Sequence, residues 1–150
     1  MKSRVGHAEL VKCIECTCFS VRKASRAITQ FYEGMLQPTG LRATQFTLLV
    51  ILAHTGPANI THLGRALVMD RTTLTRNLKP LAKKGLITIG LGEDQRTRSV
   101  ALTAQGHQAL AKALPLWEKA QAHVVNRLGQ ERWRRLMADL SATVALARAS

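Results

Sequence analysis

The segment Asp70-Arg71-Thr72-Thr73-Leu74-Thr75-Arg76-Asn77-Leu78-Lys79-Pro80-Leu81-Ala82-Lys83-Lys84-Gly85 carries two patterns at once. Wound as a helix, it sets Leu74, Leu78 and Leu81 at i, i+4 and i+7, an inward-facing apolar stripe. Thr72, Thr75, Arg76, Lys79 and Lys83 share the opposite face, which holds no carboxylate. A solvated helix face usually mixes signs and gains i,i+4 pairs. A face of Thr, Arg and Lys suits the major groove of DNA instead. Arg bridges guanine O6 and N7, and Thr offers a hydroxyl and a methyl to base edges. Asp70 is an N-cap in the expected place, Gly85 a C-terminal stop, and Pro80 removes one backbone donor beyond the reading turns.

Working outward, Thr61-His62-Leu63-Gly64-Arg65-Ala66-Leu67 reads as a short helix capped by Asn59 or Thr61. Val68-Met69 is then a tight turn, and the two helices make a helix-turn-helix. On the other side, Leu86–Leu91 alternates Ile87, Ile89 and Leu91, and Ser99–Leu102 returns against it. The polar connector Gly92–Arg98 makes this hairpin a wing. Arg96 and Arg98 are its candidate DNA contacts, and Asp94 is placed to hold the loop's shape through backbone bonds or Arg96. Arg71 and Thr73 complete the candidate contacts on the helix.

Both ends of the chain read as long amphipathic helices. Leu10, Ile14, Thr17, Val21, Ala24, Ile28, Phe31 and Met35 step by four and three, a heptad seam expected to run as one helix until Gly34 and Pro38-Thr39-Gly40. Leu110, Leu114, Trp117, Gln121, Val124 and Leu128 repeat the spacing, with a kink expected at Pro115, and Trp133, Leu136, Leu140 and Val144 start a further helix after Gly129. Thr44–His54 is apolar on most sides and is expected to be buried. Such long seams in a 150-residue chain favour a helical dimer interface over an internal bundle. The expected class is mainly α with a small β-hairpin wing: a winged helix-turn-helix lobe over about 42–102, with dimerisation helices over about 8–37 and 104–148.

Composition narrows the partner. Apolar residues make up 46% and charged residues 21%, the balance of a folded globular chain. Lys+Arg outnumber Asp+Glu by 22 to 9, a net charge of +13 that attracts nucleic acid first and anionic membrane second. The charge is spread along the chain, +4 over residues 1–58, +5 over 59–106 and +4 over 107–150. No basic tail explains it. No apolar run of about 18 residues exists to span a bilayer, and no signal-type segment follows the basic N-terminus, so a cytoplasmic location and no membrane partner are expected. The five histidines show no metal-ligand spacing, and neither metal nor cofactor is expected.

The chain resembles the MarR family of bacterial transcription regulators from about Cys16 to Leu146. The resemblance rests on Gly40–Phe46, Met69–Leu81, Lys84–Ile87, the Asp94-Gln95-Arg96 of the wing, and Leu102-Thr103 with Gly106. It implies a homodimer of winged-helix lobes bound to a palindromic operator on double-stranded DNA, usually as a repressor, relieved by a small ligand or by thiol oxidation. A ligand site is implied between the dimerisation helices and the lobe, near Arg22 and Phe46, where Arg would suit an aromatic carboxylate.

Cys13, Cys16 and Cys18 lie within six residues and are the only cysteines. That odd, local cluster suits a reducing compartment rather than a disulfide framework. On one continuous helix Cys16 and Cys18 would face roughly opposite ways, so the three thiols converge only if the helix starts late or a partner contributes. Burial of Cys18 as a small hydrophobe on the seam is one reading. The other is a redox or metalloid sensor, since Cys18-Phe19 with Ala24–Ala27 is similar to the organic-peroxide sensors of the same family. Those sensors carry activating tyrosines, where this chain has Arg22 and Ala43. Two further functions stand beside the regulator: a non-specific architectural protein binding through charge alone, and a cysteine-dependent enzyme, which lacks an activating His or acid near the thiols.

Overall fold

The computed structural model describes residues 5–92 and 97–149. Its elements run α1 (His7–Ile14), α2 (Thr17–Leu36), a 3-10 turn (Gln37–Thr39), α3 (Ala43–Thr55), β1 (Ala58–Asn59), α4 (Ile60–Leu67), α5 (Arg71–Lys83), β2 (Ile87–Leu91), β3 (Arg98–Leu102), α6 (Ala104–Leu128) and α7 (Gln130–Arg148). It is mainly helical with a small antiparallel sheet, as the sequence implies.

The core forms where leucines from different helices meet. Leu48, Leu49 and Leu52 of α3, Leu63 of α4, and Leu74, Leu78 and Leu81 of α5 are almost wholly excluded from water. Val100 of β3 and Ile87 of β2 close this cluster from the sheet side. Each such side chain contributes about 1.5–3 kcal/mol on leaving water. The apolar helix α3 is therefore the centre of the lobe, although Val50 remains exposed.

Three elements differ from the sequence expectation. The first long helix is two: α1 stops at Ile14, and Cys16 adopts an extended conformation before α2 begins. The seam spacing continues across the break, so periodicity alone gives no sign of it. At its other end α2 runs through Gly34 to Leu36. The hairpin is joined by a third strand, β1, whose Ala58 and Asn59 pair with Val100 and Ser99, giving the order β1-β3-β2. Two residues are too few to show alternation. Lastly, α6 continues through Pro115, and its fully buried positions are Gly106, Ala113 and Ala120, seven residues apart, rather than the large residues of its seam.

The lobe is tied to α6 at one junction. Gly85 takes φ +69°, and the Gly85 and Leu86 amides donate to the carbonyls of Ala82 and Leu81, the paired closure of a helix by a left-handed residue. The Thr103 hydroxyl donates to the Gly85 carbonyl at 2.6 Å and accepts from the Gly106 amide at 3.0 Å, capping α6 on the end of α5. At Gly106 a Cβ would collide with the Leu86 carbonyl oxygen and the Leu102 side chain. Gly106→Ala is expected to lower stability by about 1–3 kcal/mol through overpacking, read as a lower urea midpoint with an unchanged m-value.

Candidate DNA-reading helix and effector sites

The N-terminal end of α5 is built by Asp70. Its carboxylate accepts the Thr73 amide at 2.8 Å and the Thr73 hydroxyl at 2.6 Å. These bonds, the hydroxyl first and the amide second, hold the Asp70 carboxyl below its ordinary pKa. Thr73, a candidate contact by sequence, thus has its hydroxyl engaged in the cap. At mid-helix the Thr44 hydroxyl donates to Asn77 Oδ1 at 3.2 Å, and Asn77 Nδ2 donates to the Thr73 carbonyl at 2.9 Å, pinning α5 to α3.

With Leu74, Leu78 and Leu81 buried, α5 has a single rotation, and Arg71, Thr72, Thr75, Arg76 and Lys79 line one shallow surface groove. Five of the eight candidate DNA contacts are brought together there. Arg98 opens β3 and is exposed. Arg96 and Asp94 lie outside the described residues.

A second site lies between the lobe and α2. A cavity of about 200 Å³ is lined by Ile28, Tyr32, Phe46 and Trp117 among others, and an adjoining hollow of about 250 Å³ shares Phe46 and Trp117. The Phe46 and Trp117 rings stack at 6.0 Å. The Tyr32 hydroxyl donates to Gln121 Oε1, and burial raises its pKa. Of the two effector candidates named from the sequence, Phe46 lines this cavity. Arg22 is not part of the wall, because it sits on an exposed turn of α2 nearer the chain's start. Trp117 fits the helix-packing seam of α6, and no local sequence pattern marks Tyr32, so neither stands out in the sequence as an effector residue.

The three cysteines are exposed, so the reading of Cys18 as a buried hydrophobe does not hold within one chain. Cys13 is in α1, Cys16 precedes α2 at its N-cap position without a side-chain cap bond, and Cys18 is in the first turn of α2. The helix does start late, yet among the described residues no group of three His, Cys, Asp or Glu side chains is placed to hold a metal ion. Among the same residues no helix is long and apolar enough to cross a membrane.

A capped reading helix behind a turn, followed by a hairpin, defines a winged helix-turn-helix DNA-binding regulator. Residues 41–89 match the model of the MarR family. The chain is 37% identical to the transcriptional regulator MosR of M. tuberculosis, solved in complex with DNA, with a TM-score of 0.78 over 89% of this chain and 98% of that one. It is 28% identical to the organic hydroperoxide resistance transcriptional regulator of Bacillus subtilis, across 77% of this chain and 78% of the relative. It is also 32% identical to the regulator SarZ of Staphylococcus haemolyticus, over 59% of this chain and 61% of SarZ. The chain belongs to the MarR family and is a transcriptional regulator, not an enzyme.

The Asp70 cap gives a pH signature. Because folding lowers the Asp70 pKa, its stabilisation is complete above the unfolded carboxylate pKa and is lost as pH falls through the folded value. Asp70→Asn, which can still accept the Thr73 amide, is expected to flatten the melting-temperature profile below about pH 4 relative to the parent. Asp70→Ala should lower the melting temperature at neutral pH. Parallel profiles for parent and Asp70→Asn would remove the carboxylate from this role.

Proposed function

We propose that the chain acts as a homodimer that reads a palindromic operator and represses transcription until a small aromatic or phenolic ligand releases it. The observation that carries the DNA reading is the face of α5: Thr72, Arg76 and Lys79 are exposed and Thr75 is half-buried among them, with no carboxylate on that helix. Arg76 and the two threonines read base edges; Lys79, Arg71 and Arg98 hold phosphates, joined by Arg96 from the wing.

The dimer reading is supported by what one chain leaves uncovered. No residue of α1 or α7 is buried, and Leu10, Ile14, Phe19, Leu136, Leu140 and Val144 are exposed. A second copy of the same helices is the occupant that such seams fit. The ligand reading is supported by the aromatic wall of Phe46 and Trp117, with the Tyr32 hydroxyl as a polar anchor for a phenol.

Operator selection from a random duplex library, followed by anisotropy titrations, tests the main reading. Arg76→Ala is expected to cost about 1–3 kcal/mol and to relax preference at one base position. Equal affinity for every duplex would instead favour an architectural protein, since specific binding should exceed non-specific binding by about 10³ or more.

A second reading, thiol sensing, is favoured by three exposed thiols at the α1–α2 break and by the hydroperoxide-resistance name of the B. subtilis relative. A thiolate attacks the peroxide of an organic hydroperoxide, the O–O bond breaks, and an alcohol leaves behind a sulfenic acid. A second thiol then displaces water from that sulfur to form a disulfide. Under this reading cumene hydroperoxide lowers operator affinity in the parent and not in Cys18→Ser, or not in Cys13→Ser with Cys16→Ser. Unchanged affinity in the treated parent rules the reading out.

A further inference from the structure

A further cleft is neither the groove beside α5 nor the aromatic cavity. It measures about 740 Å³ and lies between α4, the α4–α5 turn and the start of β3, with the last turn of α7 completing its wall. Four arginines line it: Arg65 of α4, Arg71 of α5, Arg98 of β3 and Arg148 of α7. All four are exposed, and none makes an ion pair among the described residues, where Arg135 with Glu131 forms the one salt bridge. Among the described residues the single carboxylate in the wall, Asp70, is turned to Thr73 as the helix cap. Four guanidinium groups around one hollow outnumber the Asp70 carboxylate there, and a polyanion relieves the repulsion among them.

We propose that this cleft takes the sugar-phosphate backbone beside the half-site read by α5, and that Arg65 and Arg148 are phosphate-positioning residues of the DNA interface. The proposal rests on the assignment of α5 as the reading helix. Two observations select duplex phosphate over a small free anion. Arg71 borders both this cleft and the groove beside α5, so the two form one continuous basic track. A small-molecule site also encloses most of its ligand, whereas every arginine here stays open to solvent. The bidentate fork of arginine suits phosphate oxygens, and the first helix of a helix-turn-helix, here α4, crosses the backbone. Arg148 adds a contact from the C-terminal helix, outside the lobe, so backbone binding draws the end of α7 and the reading helix to the same strand.

The test is the salt dependence of binding. Parent, Arg65→Ala, Arg148→Ala and Arg148→Lys are titrated from 50 to 200 mM salt against the selected operator and a scrambled duplex of the same length. Each released phosphate contact lowers the slope of log K against log salt by about 0.9. Arg65→Ala and Arg148→Ala should each lose about that much and weaken binding by the same factor on both duplexes. Arg148→Lys should restore the slope, since it keeps the charge. Light scattering and circular dichroism confirm that each variant keeps the parent's assembly and fold. Parent-like slopes in both alanine variants overturn the proposal, as does a loss confined to one duplex sequence. Absence of any sequence preference in the parent would overturn the operator reading instead, while the slopes would still decide the cleft.

Discussion

Burial of Leu74, Leu78 and Leu81 against the leucines of α3 is the constraint from which the rest follows. A helix that buries one stripe has no rotational freedom left, so its opposite face is fixed by default. The threonines and basic residues of α5 need no dedicated positioning contacts. Asp70 fixes where the helix begins, Asn77 holds it to α3, and Gly85 ends it by turning the chain into β2. Reading geometry is thus a product of core packing. Substitutions at the leucines would disturb recognition without touching DNA.

The sheet and α6 transmit this placement. β3 lies between β1 and β2, so the wing springs from the centre strand of a sheet whose Val100 is locked into the core. Thr103 then joins the end of β3 to the start of α6 while its hydroxyl satisfies the end of α5. Reading helix, wing and long helix meet within a few residues. Small residues on α6, Ala113 and Ala120, are fully buried, and α2 packs along this helix through Tyr32 with Gln121 and Phe31 with His123.

The sequence exposes much of this because α4, α5 and the hairpin each carry a local signal. A cap, a three-four spacing and an alternation are properties of neighbouring residues. What stays hidden depends on distant ones. The break at Cys16 is masked because Ile14, Thr17 and Val21 keep helical spacing through it. Strand β1 exists only because β3 offers it partners. Ala113 and Ala120 look neutral until their burial is known, since a search for large apolar residues passes over small ones. Arg65 and Arg148 are 83 positions apart and share a cleft only through the tertiary fold. Arg22 lies near the aromatic cavity in the chain, but the wall of that cavity is formed by residues one and more turns further on.

These constraints say where regulation can enter. The helices of the lobe share one core, whereas no residue of α1 or α7 is fully buried within the chain. In the proposed dimer the distance between two reading helices is therefore set by α1, α2, α6 and α7, not by the lobes. Both candidate effector sites sit on that framework: the aromatic cavity lies where α2 meets α3 and α6, and the thiols lie at the joint of α1 and α2. A ligand or a disulfide at either place need not deform the reading helix. It has only to favour a different spacing of two intact lobes, because a palindrome presents its half-sites at a fixed separation. The free energy available for release is then the difference in effector affinity between the two spacings, which links an apolar cavity on one face to a basic track on another.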